Sequence, residues 1–440
     1  MKKLLIAILA VAGNQAYAQS SWTIKTTDDK SYSFPIEKVK EVTFTNEEEW
    51  QPEVVEKEVV KEVPTLPKDF EKQIEWLKTA GTFSPYISKV IDVDYAPGQF
   101  TNTLPKGLDT KESAINASAE KIVGKVGGTN YVHLGGWGGS VTVGFDHPIQ
   151  NFDGCDFRGY GNAFVNSSEP GVYYVAQADE NGNPKKWYLI KHGMYDYAIH
   201  DYEITYYKPE KEYAEGKKIT YLQANGKTAS VNVVKDELSS VLVTKDDKTY
   251  YVKNGNEYEV TIIEDTKIAS FAQYIKWTDN LGHSGYEPKN SFHQQSYWPA
   301  YAGDKIVIKG EYLPVGTQVT TTDGTSSFYS NNPKAWGFPL DAAGKNGIGA
   351  YGMCDTYENT NDYSCVDIDW AVDEEGNPAN LDHIDFVKVQ TAVHHQAGML
   401  GEISCEFAGI EDLHLTGKFI KVDTSIKPTV PEDGYWYWSY

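Results

Sequence analysis

The sequence predicts an all-β protein built around one β-sandwich, and three observations support this fold class. Residues 135–164, GGWGGSVTVGFDHPIQNFDGCDFRGYGNAF, combine a glycine cluster with alternating residues at 140–145 and a second strand-like run at 156–160. Aromatic residues make up 13% of the chain, with 31 Tyr and 11 Trp, and these types favour strands. Asn-Gly pairs between alternating runs at 225–226 and 254–255 are typical of β-hairpins.

The first eighteen residues have the pattern of a secretory signal peptide. Two lysines precede an apolar run at 4–12, and Ala16-Tyr17-Ala18 matches a cleavage site. The apolar run is too short to span a bilayer. No cysteine lies near the predicted cut, so no lipid anchor is expected. The pattern therefore predicts a secreted or cell-surface protein that does not span the membrane.

The mature chain divides by composition into four parts. Residues 19–46 alternate like a small β element, and 47–80 form an acidic linker that ends in one short helix. Residues 81–423 form the predicted sandwich, with an insertion at 210–267 that carries the two Asn-Gly hairpin signals. Residues 424–440 are an aromatic tail.

The net charge of the chain disfavours two classes of binding partner. A formal net charge of -22 disfavours nucleic acid, whose phosphates require a basic surface, and it disfavours anionic membrane surfaces. Such acidity suits a soluble extracellular protein.

Four cysteines, Cys155, Cys354, Cys365 and Cys405, allow at most two disulfides. Cys354 and Cys365 bracket the polar stretch DTYENTNDYS, which favours that pair as a staple across a loop. Four buried thiols are the alternative. No spacing typical of zinc ligands occurs.

Two similar hexapeptides are candidate calcium loops. They are DENGNP at 179–184 and DEEGNP at 373–378, and their ligand candidates are Asp179, Asn181, Asp373 and Glu375. Both lack the closing glutamate of an EF-hand. Each also lies between strand-like runs, so the alternative is a hairpin turn in which Gly and Asn adopt positive φ.

No sequence signature of catalysis stands out, and a non-enzymatic protein is predicted. The nucleophile elbow and the zinc-protease motif are both missing. Asp367, Asp369 and Asp373 alternate along one expected strand, which favours a solvated edge over a glycosidase pair. His394 and His395 are adjacent, so from a regular strand they point to opposite faces and do not share a metal.

A ligand site is predicted where aromatic loops meet at one end of the sandwich. The expected contacts are Trp137, Tyr297 and Trp298 as stacking surfaces, with His293 as a polar contact. The glycines around Trp137 would let a flat ligand approach the backbone. The alternative for this glycine cluster is a tight bend at a corner of the sandwich.

Four stretches together resemble uncharacterised exported cell-surface proteins of gut anaerobic bacteria. They are residues 135–164, 167–188, 275–299 and 366–393. The resemblance implies a discoidin-like or jelly-roll β-sandwich, a fold that often carries a structural calcium. Members are often encoded beside cobalamin-uptake transporters, which implies capture of vitamin B12 or another corrinoid, with an outer-membrane uptake complex as partner.

Two function classes therefore compete. The first is a binding protein for a corrinoid or a glycan, and the second is a structural or adhesive surface protein that contacts other proteins. A secreted glycan hydrolase is a distant third.

Overall fold

A computed structural model describes residues 21–25, 31–35 and 69–430, except 166, 213–215, 224, 235–240, 254, 269–270, 291–292, 294, 315–317, 322–326, 331, 345 and 398–400. The predicted signal peptide, most of the acidic linker and the last ten residues of the tail lie outside these ranges. The chain separates into two compact units, 1–64 and 65–440.

The described elements are two α-helices and a larger set of strands. The helices are α1 Phe70–Ala80 and α2 Lys111–Ile122. The strands, in chain order, are β1 Ser21–Lys25, β2 Ser31–Pro35, β3 Lys89–Asp94, β4 Val132–His133, β5 Ser140–Gln150, β6 Phe157–Gly159, β7 Gly171–Ala176, β8 Tyr188–Ile190, β9 Ile199–Tyr207, β10 Gly216–Leu222, β11 Thr228–Val234, β12 Leu242–Lys245, β13 Lys248–Lys253, β14 Asn256–Ile268, β15 Phe271–Asp279, β16 Ser284–Lys289, β17 Lys305–Tyr312, β18 Gln318–Thr321, β19 Ser327–Ser330, β20 Met353–Cys354, β21 Cys365–Val366, β22 Ala371–Val372, β23 His383–Thr391, β24 Glu406–Phe407 and β25 Ile410–Asp412.

A seven-stranded antiparallel sheet is the centre of the larger unit. Its order is β22-β8-β7-β23-β5-β3, with β20 added at β7. Alternation gives this sheet two different faces, because paired residues in an antiparallel sheet share a face. Val387 lies between Val143 and Val175 on the inner face, and its neighbour Lys388 lies between Thr142 and Tyr174 on the outer face. The predicted all-β sandwich is confirmed.

The inner face is covered by a second layer. This layer contains the three-stranded sheet β21-β6-β25, the pair β24-β4 and helix α2. Thr110 caps α2 by accepting the Ser113 amide, and Ala114 and Ile122 point into the core. The main hydrophobic core lies between these layers.

A four-stranded sheet, β16-β15-β9-β17, packs on the other side through Trp137. The Trp137 indole is fully buried and donates to the Glu311 carbonyl over 3.1 Å. The Trp137 carbonyl accepts from the Tyr206 hydroxyl over 3.0 Å, and the next amide, that of Gly138, donates to Thr391 in the central strand. One residue thus joins the two sheets.

The insertion forms a separate five-stranded sheet, in the order β11-β10-β14-β13-β12. It spans residues 216–268 between β9 and β15, which themselves pair through Tyr206 and Trp277. Asn225-Gly226 joins β10 to β11, as its turn chemistry predicts, and Gly226 has the positive φ of 79° that such turns need.

The favoured disulfide was wrong. Cys365 is bonded to Cys155, with the two Cα atoms 5.8 Å apart, and Cys354 and Cys405 are buried free thiols. Pairing of β21 with β6 brings Cys365 to Cys155, whereas β20 pairs with β7 and holds Cys354 on another strand. Sequence proximity across the polar loop did not reveal this difference in strand pairing.

The expected strand through 366–373 was also wrong. Two short strands, β21 and β22, flank a 3₁₀ turn at Ile368–Trp370. Asp367 accepts the Asp369 amide at the start of this turn, and Asp156 accepts the Ile368 amide over 2.7 Å. These aspartates organise a turn and do not share one face of a strand.

Replacing Trp137 with alanine should lower the free energy of unfolding by about 3–5 kcal/mol, because it leaves a cavity between the two sheets. Urea denaturation followed by circular dichroism measures this change. Trp187→Ala, which removes a half-exposed indole, is the control and should cost much less. A loss below about 1 kcal/mol for Trp137→Ala would show that this side chain does not join the sheets.

Replacing residues 216–268 with a short Gly-Ser linker should leave the rest of the larger unit folded. A surface insertion contributes only a slowly growing loop-closure entropy, and the strands on either side pair with each other. Differential scanning calorimetry should still show a cooperative transition. Loss of that transition would mean that the sandwich depends on the inserted sheet.

Candidate functional site

A groove lies on the outer face of the seven-stranded sheet, and strand β17 of the four-stranded sheet forms one of its sides. We call it the sheet groove, and its volume is about 450 Å³. It falls within the size range of small-molecule sites. Its lining residues are Ile91, Asp92, Asp94, Ser140, Thr142, Pro184, Trp187, Ile306, Val307, Ile308, Lys309, Lys388 and Gln390.

The floor of the sheet groove is a polar row set by strand register. Asp92, Thr142, Lys388 and Tyr174 are neighbours across the adjacent strands β3, β5, β23 and β7. The residues next to Thr142, Lys388 and Tyr174 in sequence point into the apolar core. The same alternation that builds the core therefore places these polar side chains in line on the opposite face.

Lys388 is a partly buried lysine whose ammonium group lies over two aromatic rings. Its Nζ lies 4.4 Å from the Tyr174 ring centre and 5.5 Å from that of Trp187. Burial lowers the pKa of Lys388, against the opposing influence of the Asp94 and Asp92 charges. Within the described residues, no acceptor takes a hydrogen bond from this ammonium group and no carboxylate pairs with it. Its three donors are thus available to a ligand.

Two carboxylates that line the sheet groove, those of Asp92 and Asp94, are paired with a lysine that lies outside it. Lys111 of α2 pairs with Asp92 over 3.0 Å and also contacts Asp94. These contacts raise the pKa of Lys111 although burial alone would lower it. The two carboxylates therefore offer oxygens as acceptors without a large local negative charge.

A buried carboxylate fixes the β17 wall. Glu311 Oε1 contacts His192 Nε2 over 3.0 Å, and Glu311 Oε2 contacts His200 Nδ1 over 3.0 Å. The Glu311 amide donates to the hydroxyl of Tyr174, whose ring lies under Lys388. Burial alone would raise the pKa of Glu311, but the hydrogen bonds from His192 and His200 lower it. This triad anchors the wall beside the floor of the sheet groove.

The predicted stacking residues belong to the core. Trp137, Tyr297 and Trp298 do lie in one cluster, but they are 0%, 2% and 3% exposed. Trp298 donates its indole N–H to the Gly303 carbonyl, and Tyr297 packs edge-on against Tyr274. Their rings pack against other side chains of this buried cluster, so the prediction that they form exposed stacking surfaces was wrong.

His293, the predicted polar contact, is half-buried and packs edge-on against Phe100, with ring centres 4.5 Å apart. Its amide donates to the side chain of Asn290. It does not line the sheet groove.

The glycine cluster packs backbone against backbone. A Cβ on Gly135 would lie 2.0 Å from the Ala96 carbonyl oxygen, and one on Gly139 would lie 1.9 Å from that of Leu134. Gly135 also has a positive φ of 85°. The alternative of a tight corner explains these glycines, and a flat ligand has no room beside them.

The two hexapeptides are turns. Asp179 Oδ1 accepts the amides of Asn181 and Asn183, and these backbone hydrogen bonds lower the pKa of Asp179. Asp373 Oδ1 accepts the amides of Glu375 and Asn377 in the same way. Neither turn gathers three ligand side chains in the described part of the chain. Each turn closes an antiparallel bridge, Ala178 with Pro184 in the first and Val372 with Pro378 in the second, as the hairpin-turn alternative predicts. The first turn also joins the paired strands β7 and β8.

Sequence reasoning missed Lys388 and Trp187, although a signal was present. Polar residues alternate with valines at 140–143 and again at 387–390. Pairing of these two runs predicts one polar face, but that pairing was not inferred.

A second hollow, of about 680 Å³, lies on the insertion. Tyr221, Tyr251 and the half-exposed Tyr258 contribute to its lining. Its lysine, Lys253, is exposed, whereas Lys388 is partly buried between two aromatic rings, so the sheet groove is the stronger candidate.

No protein-family model matches the sequence, and a comparison with curated proteins finds no match. Neither described helix is long and apolar enough to cross a membrane.

The stability supplied by His200 should depend on pH. The pKa of His200 is raised above its ordinary 6.5, first by its hydrogen bond to Glu311. A raised pKa gives stability that is present below 6.5 and is lost as the pH rises through the folded-state value. His200→Gln should therefore lower the melting temperature more at about pH 5.5 than at about pH 8.5.

In a Glu311→Gln background the same substitution should lose this pH dependence, because the carboxylate partner is gone. A melting-temperature difference that is equal at both pH values would contradict the assigned ion pair.

Proposed function

We propose that this chain is an exported, non-enzymatic binding protein that captures a neutral glycan in the sheet groove. The observation that carries the proposal is Lys388, held over Tyr174 and Trp187 with its donors unpaired among the described residues. Lys388 is partly buried, so its ammonium group has lost part of its hydration without gaining an acceptor among the described residues, and a ligand hydroxyl would supply one.

The composition of the sheet groove suits a sugar. A half-buried indole, that of Trp187, offers an apolar surface, and carboxylates, hydroxyls and an amide stand around it as hydrogen-bonding groups. Sugar rings have apolar faces and hydroxyl edges that need both. The net charge of -22 disfavours a polyanionic glycan, so a neutral one is proposed.

The arrangement suits binding more than hydrolysis. The two carboxylates of the sheet groove, Asp92 and Asp94, both contact the same lysine, Lys111. A glycoside hydrolase uses two carboxylates placed on either side of the scissile bond, one of them as a proton donor. Corrinoid capture, implied by the family resemblance, stays a prediction from the sequence, and no feature of the sheet groove favours a macrocycle over a sugar.

Binding is tested by isothermal titration of the full mature chain against neutral gluco-, xylo- and manno-oligosaccharides, with cyanocobalamin as a separate arm. For the sugar that binds, Lys388→Met and Trp187→Ala should each weaken affinity at least about tenfold, equivalent to about 1.4 kcal/mol. Both variants should keep the wild-type melting temperature within a few degrees.

Phe164→Ala is the matched control, since Phe164 is 64% exposed and lies outside the sheet groove. Deletion of 216–268 separates the hollow on the insertion from the sheet groove. Sugar binding that survives both groove variants but disappears with the deletion would overturn the assignment of the site. Binding of cyanocobalamin alone would overturn the proposed ligand class.

A further inference from the structure

Three carboxylates converge on the far side of the seven-stranded sheet from β17. Glu169 lies two residues before β7, Asp355 immediately follows β20, and Glu406 begins β24. One oxygen from each lies within 4.8 Å of the others. We call this set the carboxylate cluster. It is separate from both hexapeptide turns and from the sheet groove.

The carboxylate cluster is held in place by backbone hydrogen bonds. Asp355 Oδ1 accepts the amides of Asn162 and Ala163, each over 2.7 Å, and its Oδ2 accepts the Glu406 amide over 3.0 Å. The Glu169 amide donates to the Asp355 carbonyl. These bonds fix the Asp355 side chain and hold the backbones of Glu169 and Glu406 beside it before any ligand arrives.

Little positive charge in the described chain balances the carboxylate cluster. Its one basic contact is His133, whose Nδ1 lies 2.7 Å from Glu406 Oε1. Burial raises the pKa of Asp355, and the neighbouring charge of Glu169 raises it further. Burial and the charge of Glu406 likewise raise the pKa of Glu169. Three crowded carboxylates are unfavourable here unless protons or a cation offset their charge.

A second observation concerns one oxygen of Glu406. The side chain is 6% exposed, and its Oε2 has no hydrogen-bond donor among the described residues. Oε1 contacts His133, so Oε2 is the oxygen of Glu406 that is left without a donor in the described part of the chain. A buried oxygen in this position needs either a shared proton or a metal ion as its partner.

We propose that Glu169, Asp355 and Glu406 bind one calcium ion. Oxygen ligands at 2.3–2.6 Å from a single Ca²⁺ lie up to about 5 Å apart, and the spacing of the cluster fits this range. Magnesium binds at 2.0–2.1 Å and needs closer ligands. Glu169 is partly exposed, so it gives the ion a path from solvent.

Thermal unfolding of the full mature chain at about pH 8 tests the site, once in EGTA and once in about 1 mM calcium chloride. Calcium should raise the wild-type melting temperature by at least about 3 °C, because a ligand that binds only the folded state stabilises it. Titration calorimetry should give one ion per chain. Magnesium chloride at the same concentration should give a smaller rise.

Glu169→Gln removes one negative charge and keeps the shape of the side chain. In EGTA it should melt at or above the wild-type temperature, since one repulsion is gone, and it should no longer respond to calcium. The matched control is the pair Asp179→Asn and Asp373→Asn, which alters the hexapeptide turns and should keep the calcium response.

A calcium response that survives Glu169→Gln, or that disappears in the control pair, would place the ion elsewhere and overturn the proposal. A wild-type chain indifferent to calcium, with Glu169→Gln more stable in EGTA, would show that the cluster holds protons only. None of these results depends on glycan binding, so failure of one proposal leaves the other to its own test.

Discussion

The packing of the Trp137 side chain between two sheets is the interaction on which the larger unit depends. Its indole N–H and its carbonyl both bond to the four-stranded sheet, while the adjacent Gly138 amide bonds to the central strand of the seven-stranded sheet. Glycine is required at 135 and 139, because the chain there passes too close to Ala96 and Leu134 for a Cβ. Trp137 and this stretch of backbone therefore link the two sheets, together with the hydrogen bond from the Glu311 amide to the Tyr174 hydroxyl.

The contact between the two sheets also determines where the sheet groove lies. The four-stranded sheet covers only part of the outer face of the seven-stranded sheet, and strand β17 borders the uncovered part. Glu311 lies in that strand, where its carbonyl accepts the Trp137 indole and its carboxylate contacts two histidines. The sheet groove is therefore the edge of a packing interface. Its floor is polar because the opposite face of the same strands supplies the valines of the core.

Local patterns in the sequence predicted the elements well and their partners poorly. The runs at 140–145 and 171–176 lie in strands because their alternation is a local property. The disulfide of Cys365 and the polar row through Lys388 depend on which strands pair, over separations of up to 246 residues between Thr142 and Lys388. The sequence context of Trp137 and Trp298 also led to a wrong prediction. Both have the surroundings of loop aromatics but lie in a second hydrophobic core, which their spacing does not reveal. Buried carboxylates such as Asp355 and Glu406 meet only in the folded chain and have no sequence signature.

The disulfide has a consequence for proteolysis of this chain. Cys155 and Cys365 are 210 residues apart, so the covalent loop they close contains the whole five-stranded insertion and strands β7 to β9. A nick in an exposed hairpin of the insertion would cut the main chain once but leave the two fragments covalently linked. The cleaved molecule would separate into fragments only after reduction and denaturation. Cleavage within the insertion would therefore leave both walls of the sheet groove covalently linked.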